Sequence, residues 1–168
     1  MKKRLLIIGY GVVGQAVYEG LVENNTIDLL DIEPNDDIDY SSYDGIIICL
    51  PTPQGPRGEC DDMLVEQYIT TIRMEVPAVP ILIKSTISLE LVELLEDDQE
   101  VTFNPEFLTE ADSHKQFCHQ KFAIFGGHHC RSWYELYINS GIKIDKVRFT
   151  SMKNAAYAKY TINSFLAT

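Results

Sequence analysis

Positive charge is scarce in this 168-residue sequence, which has 14 lysines and arginines against 25 aspartates and glutamates and a formal net charge of -11. A surface that binds nucleic acid or an anionic membrane needs a surplus of basic side chains to neutralise phosphate groups. We therefore expect neither nucleic acid nor a membrane among the partners. The shortage does not exclude one bound phosphate ligand, because backbone N–H groups can hold a phosphate locally.

Metal-type cysteine spacings and long apolar runs are also missing. Cys49, Cys60, Cys118 and Cys130 show no CxxC pattern and no close CxxH partner, so we expect no metal site. We interpret them as reduced thiols of a cytoplasmic protein, with disulfides as the alternative. No segment reaches the roughly 18 apolar residues of a membrane span. The basic start is followed by an apolar run too short for a signal peptide.

Short apolar runs alternate with longer mixed segments along the chain. Runs that are apolar throughout are typical of strands covered on both faces, as in a parallel sheet. The predicted strands are 4–8, 27–32, 45–50, 80–84, 101–103 and 122–125, and the predicted helices are 12–24, 62–75, 88–97, 105–117 and 129–140. This order predicts an α/β Rossmann-type, doubly wound, mainly parallel sheet with helices on both faces. The short polar segment 33–44 predicts a reduced crossover with a single helical turn.

Three glycines form the motif GYGVVG between the first predicted strand and the first predicted helix. Gly9 permits a tight turn, Gly11 lets the backbone approach a pyrophosphate, and Gly14 lets helix and strand pack closely. The unpaired N–H groups at the helix N-terminus, which includes Val12 and Val13, favour a phosphate. The motif therefore predicts a dinucleotide site, and the alternative is a glycine-rich turn without a ligand.

An acidic residue, Asp31, closes the next predicted strand. An acid at about this separation from the motif accepts hydrogen bonds from the ribose hydroxyls of the cofactor. A carboxylate at this place repels a 2′-phosphate, so the sequence predicts NAD rather than NADP.

Ligands of open α/β sheets bind outside the carboxyl ends of the strands. Pro51 and Thr52 follow the third predicted strand, and Ser85 and Thr86 follow the fourth. We therefore assign these four residues to the cofactor site.

The segment NPEFLTE follows the fifth predicted strand. Glu106 and Glu110 are four residues apart, so on a helix both carboxylates project from one face and can hold a water or move a proton. The alternative is helix capping, with Asn104 as N-cap and Pro105 in the first helical position. Capping explains Glu110 poorly, since that residue lies one turn further along.

The last predicted element is a helix in the final eighteen residues. Lys159 and Asn163 lie one turn apart at the edge of its apolar stripe, where an ammonium and an amide can point at one oxygen. The alternative is an amphipathic helix whose polar border happens to include them. The stripe consists of Ala155, Ala158, Ile162, Phe165 and Leu166.

Taken together, GYGVVG, ICLPTP, IKSTI, NPEFLTE, FGG and AKYTINSFLAT resemble, in this order, the UDP-glucose/GDP-mannose dehydrogenase family. The resemblance covers nearly the whole chain. It implies an NAD-binding Rossmann domain in residues 1–150 and, in residues 151–168, the start of the central helix that forms the family's dimer core. Such enzymes oxidise the C6 hydroxymethyl group of a nucleotide sugar, such as UDP-glucose, to a carboxylate. Two NAD molecules accept hydrides, and the intermediates are bound to a cysteine.

The resemblance also implies roles for single residues. Val13 and Asp31 contact the adenosine half of NAD, whereas Thr52 and Thr86 contact the cofactor nearer the reacting centre.

The same resemblance assigns the reacting groups. Glu106 resembles the carboxylate that positions a water and assists proton transfer, and Glu110 resembles the one close to cofactor and substrate. Lys159 resembles the lysine that stabilises a developing oxyanion, with Asn163 as its partner.

The family's catalytic cysteine lies in a glycine-rich loop beyond the central helix, and no such loop occurs in this sequence. We therefore expect a natural short form, a truncated product or an excised domain that binds NAD and does not complete the oxidation. One alternative is a non-catalytic nucleotide-binding module that regulates or completes a partner chain. Another is a dehydrogenase of a smaller substrate. The apolar stripe of the last helix predicts cover by folding back or by forming a homodimer.

Overall fold

The computed structural model of the chain describes residues 2–31, 38–108 and 112–166. Its main sheet contains β1 (Arg4–Ile8), β2 (Thr26–Leu30), β3 (Gly45–Ile48), β4 (Ile81–Ile83), β5 (Val101–Phe103), β7 (Ala123–Gly127) and β9 (Val147–Thr150). Two short strands, β6 (His119–Gln120) and β8 (Lys143–Ile144), pair with each other in parallel. The helices are α1 (Val12–Leu21), α2 (Met63–Glu75), α3 (Leu89–Leu95), α4 (Ser113–Cys118), α5 (Cys130–Asn139) and α6 (Met152–Leu166).

The strands of the main sheet lie in the order β2-β1-β3-β4-β5-β7-β9. The first five run parallel, β7 is antiparallel to β5, and β9 is parallel to β7. The predicted fold class, a mainly parallel α/β sheet, is therefore confirmed. Because β1 lies between β2 and β3, the direction of winding reverses at β1, and the carboxyl ends of β1 and β3 flank the crevice where such sheets bind ligands.

Two apolar layers cover the sheet, since successive side chains of a strand point to opposite faces. Leu6 and Ile8 belong to the layer that contains buried residues of α2, α3 and α6, whereas Leu5 and Ile7 face the layer of α1 and α5. All four side chains are at most 1% exposed. Complete burial of an aliphatic side chain contributes about 1.5–3 kcal/mol before conformational entropy is counted. The sheet therefore gives a rigid base for the loops at its carboxyl edge.

The structure differs from the prediction after β5. A helix over 105–117 is wrong at its beginning, because residues 104–108 are not helical and α4 begins only at Ser113. Strands β6, β8 and β9 were not predicted. The crossover after β2 contains one short 3-10 helix, Tyr40–Ser42, whose N-cap Asp39 accepts a hydrogen bond from the N–H of Ser41. This agrees with the predicted single turn, although 32–37 lie outside the described residues.

None of the helices within the described ranges combines the length and the apolar composition that a membrane crossing requires.

Candidate functional site

The glycine turn joins β1 to α1 at the carboxyl edge of the sheet. Gly9 has φ +93°, a conformation that favours glycine, and its N–H donates to the carbonyl of Leu30 at 2.8 Å. A Cβ on Gly14 would lie 2.0 Å from the carbonyl oxygen of Gly9, so only glycine allows this approach. A Cβ on Gly11 would meet no heavy atom within 4 Å. The turn therefore has no room for a side chain at Gly9 or Gly14, whereas the space in front of Gly11 is open.

The first N–H groups of α1 border this open space. Gly11 is the N-cap residue, and no side chain caps the helix. The N–H groups of the first turn have no intrahelical acceptor, and with the helix dipole they attract an anion. Val12 is 41% exposed and Val13 is half-buried, so the backbone of the first turn faces solvent in part.

Asp31 lies beside the glycine turn. It directly follows β2, which pairs with β1 so that Leu30 lies opposite Ile8. Asp31 is exposed, at the same edge of the sheet as Gly9 and Gly11. The structure therefore brings together the glycine motif and the acid that the sequence analysis assigned to the adenosine ribose.

The loops after β3 and β4 form the next part of the edge. The hydroxyl of Ser85 is buried and donates to the carbonyl of Leu50 at 2.7 Å, which joins the two loops. Pro51 follows in an exposed position, and Thr52 is half-buried. Thr86, also half-buried, accepts a hydrogen bond at its carbonyl from Cys60 Sγ at 3.4 Å. These predicted residues therefore lie together, and Ser85 positions the loops.

Glu106 and Lys159 form a buried ion pair between the loop after β5 and helix α6. Lys159 Nζ lies 3.2 Å from Glu106 Oε1 and also donates to the backbone carbonyl of Glu106. The two side chains are 16% and 8% exposed. Both residues were predicted to belong to the reacting centre, whereas their contact was not predicted.

Asn163 and Glu110 complete the predicted reacting groups. Asn163 is exposed one helical turn beyond Lys159 on α6, and its predicted role stays a prediction. Glu110 lies outside the described residues. The expected placement of Glu106 on a helix with Glu110 is wrong for Glu106, since that residue is not helical.

A buried polar cluster near Glu106 and Lys159 was not predicted. Lys84, at the end of β4, is 3% exposed, and its Nζ donates to Asn104 Oδ1 at 2.9 Å. The hydroxyl of Tyr137 donates to the same oxygen at 3.2 Å, and Asn104 Nδ2 donates to the carbonyl of Ile124 at 2.7 Å. The role of Asn104 as an N-cap is therefore wrong, because its side chain is bonded within this cluster. A lysine that ends an apolar run is the sequence signal that could have identified the site.

Burial is the main cause of the pKa shifts of Lys84 and of the nearby Cys49. Desolvation lowers the pKa of Lys84 to about 8, although the nearby Glu106 carboxylate opposes the shift. Desolvation also raises the pKa of the Cys49 thiol to about 12. The Lys84 ammonium is thus poorly solvated and lies near the carboxylate of the buried ion pair.

The sheet covers only the first half of helix α6. Ala155 and Ala156 are fully buried against the sheet, whereas Ile162 is half-buried and Phe165 is 80% exposed. The prediction that the stripe folds back holds for the first turns only. The domain boundary at residue 150 and the homodimer stay predictions.

All four cysteines are free, as predicted. Burial is the largest cause that raises the pKa of each thiol. Nearby carboxylates raise it further at Cys60 and Cys118. Among the described residues, no group of three or more metal-ligating side chains lies close enough to hold a metal ion.

No protein-family model matches the sequence, and no curated protein matches it. Several solved structures are similar. The GDP-mannose dehydrogenase of Pseudomonas aeruginosa, in a ternary complex, has a TM-score of 0.81 and 18% identity over 98% of this chain and 50% of its own. The UDP-glucose dehydrogenase of Pyrobaculum islandicum has a TM-score of 0.80 and 18% identity over 99% of this chain and 50% of its own.

The UDP-D-ManNAc dehydrogenase of Pyrococcus horikoshii has a TM-score of 0.77 and 17% identity over 96% of this chain and 50% of its own. At these identities the similarity establishes a shared fold. The chain spans about half the length of each of these structures.

Proposed function

We propose that this chain is the NAD-binding part of an oxidoreductase that acts on the C6 hydroxyl of a nucleotide sugar. The observation that carries the proposal is the glycine turn, open only at Gly11, with Asp31 beside it at the reversal point of the sheet. The fold shared with three nucleotide-sugar dehydrogenases supports the substrate class. Nucleotide sugars such as UDP-glucose are the proposed substrates, and the cytoplasm is the proposed location.

The residues at the turn fit NAD. The space in front of Gly11 can take a pyrophosphate, and the N–H groups at Val12 and Val13 can donate to it. Asp31 can accept hydrogen bonds from the adenosine ribose, and its charge disfavours a 2′-phosphate. Thr52 and Thr86 would meet the half of the cofactor nearer Glu106. When bound, NAD supplies a hydride acceptor.

The ion pair of Glu106 and Lys159 supports the reacting role. An alcohol held against Glu106 would lose its proton beside the Lys159 ammonium, and a positioned charge of this kind stabilises a developing oxyanion. Glu106 Oε2 is buried and has no hydrogen-bond donor among the described residues. This oxygen can accept a proton from a water or a hydroxyl group.

The thiols of this chain do not suit covalent catalysis. A nucleophilic cysteine needs a lowered pKa, whereas burial raises the pKa of each of the four thiols. The oxidation of an alcohol to a carboxylate by a cysteine-dependent route therefore needs a thiolate from another source. We propose that the chain binds NAD without completing this oxidation.

Calorimetric titration with NAD⁺, NADP⁺ and UDP-glucose tests the proposal. We expect NAD⁺ to bind more tightly than NADP⁺, and Asp31→Ala to weaken NAD⁺ binding by roughly tenfold, since a hydrogen bond to a charged group is worth about 1.5–3 kcal/mol. Asp97→Ala is the matched control, because Asp97 is an exposed acid in the turn before β5, at the opposite edge of the sheet.

Two results would contradict parts of the proposal. Unchanged NAD⁺ affinity in Asp31→Ala would refute the assignment of the ribose site. Formation of the carboxylate from UDP-glucose by the purified chain, with two NAD⁺ reduced for each sugar and without added protein, would refute its incompleteness. If the chain is instead a non-catalytic nucleotide-binding module, we expect it to bind NAD⁺ with an affinity that no nucleotide sugar changes.

A further inference from the structure

Lys84 is a buried cation whose hydrogen-bonding capacity is largely unused. An ammonium carries three donors. In the described part of the chain, Lys84 Nζ has one hydrogen-bond acceptor, Asn104 Oδ1, and otherwise lies 5.7 Å from the centre of the Phe117 ring. Two donors of a side chain that is 3% exposed therefore lack an acceptor there.

Glu106 has the complementary deficiency. Its Oε1 accepts from Lys159, while its Oε2 is buried without a donor among the described residues. Lys84 and Glu106 line the same cavity, which has a volume of about 340 Å³. A buried acceptor without a partner and buried donors without partners are each costly, so a group that satisfies both is favoured here.

The chemistry of the two groups restricts what can bind between them. An ionised carboxylate has no donor for Glu106 Oε2, and an ammonium group has no acceptor for Lys84 Nζ. A hydroxyl group can donate to Glu106 Oε2 and accept from Lys84 Nζ at the same time. The cavity is in the size range of small-molecule sites, and Phe107, Phe117 and Phe122 give it apolar walls that suit the C–H face of a sugar ring.

We propose that Lys84 is a further ligand-binding residue, and that its ammonium and Glu106 Oε2 together hold the hydroxyl group of an alcohol ligand in this cavity. The inference rests on the proposed function, because the alcohol would be the hydroxymethyl group of the nucleotide sugar. Lys84 is a second lysine at the site and lies against the Phe117 ring, whereas Lys159 belongs to α6.

A purely structural role makes a different prediction. In that case Lys84 would only support Asn104, which also binds Ile124 and Tyr137. Replacing Lys84 would then alter stability and weaken all ligands alike. A binding role requires in addition that Lys84 distinguishes a ligand with the hydroxyl from one without it.

The test compares UDP-glucose with its 6-deoxy analogue, titrated calorimetrically into protein saturated with NAD⁺. We expect the unmodified protein to prefer UDP-glucose by about tenfold or more. Lys84→Met should remove most of this preference and leave NAD⁺ affinity unchanged. Lys121→Met is the control, because Lys121 lines the same cavity but is exposed, and this variant should keep the preference.

A second measurement needs no variant and remains valid if Lys84→Met does not fold. The ¹³Cε–¹Hε NMR signal of Lys84 in the unmodified protein should shift on addition of UDP-glucose and respond much less to the 6-deoxy analogue. Equal binding of the two ligands, an unmoved signal, or no binding of UDP-glucose to the NAD⁺ complex would overturn the inference. Failure to bind NAD⁺ would instead refute the proposed function.

Discussion

Replacement by alanine should reduce stability at Gly14 and cofactor binding at Gly11. In Gly14→Ala the new Cβ would lie 2.0 Å from the Gly9 carbonyl oxygen, whereas ordinary contacts of this kind are 3.4–4 Å. Because the obstacle is backbone, α1 or the turn must move by more than 1 Å. Overpacking costs about 1–3 kcal/mol, and we expect the upper end. In a protein of this size 1 kcal/mol corresponds to roughly 2–4 °C, so Tm should fall by about 6–12 °C.

Gly11→Ala should leave folding almost unchanged and impair binding. Its φ of -75° suits any residue, and the added Cβ would meet nothing within 4 Å. We expect a loss of stability below about 1 kcal/mol, the difference between glycine and alanine at a helix N-cap. The methyl group would however fill the space that a pyrophosphate needs, so NAD⁺ affinity should fall by roughly tenfold or more.

Thermal unfolding followed by circular dichroism and calorimetric titration with NAD⁺ measure the two effects separately. Each variant serves as the control for the other, since both add one methyl group to the same turn. Gly11→Ala protein that binds NAD⁺ as tightly as the unmodified protein would refute the pyrophosphate site. A Gly14→Ala protein that melts within 2 °C of the unmodified protein would refute the close approach of helix and strand.

Three further predictions concern buried or capping groups. Lys159→Met should destabilise the protein by about 3–5 kcal/mol because it leaves the Glu106 carboxylate buried and unpaired, and addition of Glu106→Gln should recover part of this loss in urea unfolding. Because the pKa of Lys84 falls from 10.5 to about 8 on folding, the unfolded chain binds more protons between these pH values. The free energy of unfolding relative to Lys84→Met should therefore rise by about 3 kcal/mol between pH 7 and 10.5, and a decrease in urea unfolding experiments would contradict the buried ammonium. Ser88→Ala should cost about 1 kcal/mol in the same assay, because Ser88 Oγ caps α3 by accepting from the N–H of Leu91 at 3.1 Å.

Local patterns were sufficient to predict six of the seven strands of the main sheet and the glycine turn at its carboxyl edge. A strand covered on both faces must be apolar throughout, and this requirement is visible in RLLII and GIII. The glycine turn is equally local, since its three glycines lie within six residues of each other. The side chain of Asp31 reaches the same edge because β2 pairs in parallel with β1.

The features that could not be predicted depend on contacts between segments that are distant in sequence. Lys84 is buried against Asn104 and Phe117, which are 20 and 33 positions away in sequence. Strand β9 has an exposed, half-polar composition at the sheet edge, so its sequence lacks the apolar pattern of the inner strands.

The segment NPEF shows how tertiary contacts override strong local signals. Asparagine followed by proline and an acid is a favourable helix start, and yet the helix does not form at this point. The N–H of Asn104 donates to the carbonyl of Ile83 at 2.9 Å, which continues the pairing of β5 with β4, and its side chain is bonded to Lys84. The carbonyl of Glu106, which a helix would use for its own hydrogen bond, accepts instead from Lys159. Lys84 therefore binds the Asn104 side chain and Lys159 binds the Glu106 carbonyl, which are the groups that a helix start would need. The segment that could have started a helix holds the Glu106 carboxylate at the candidate site instead.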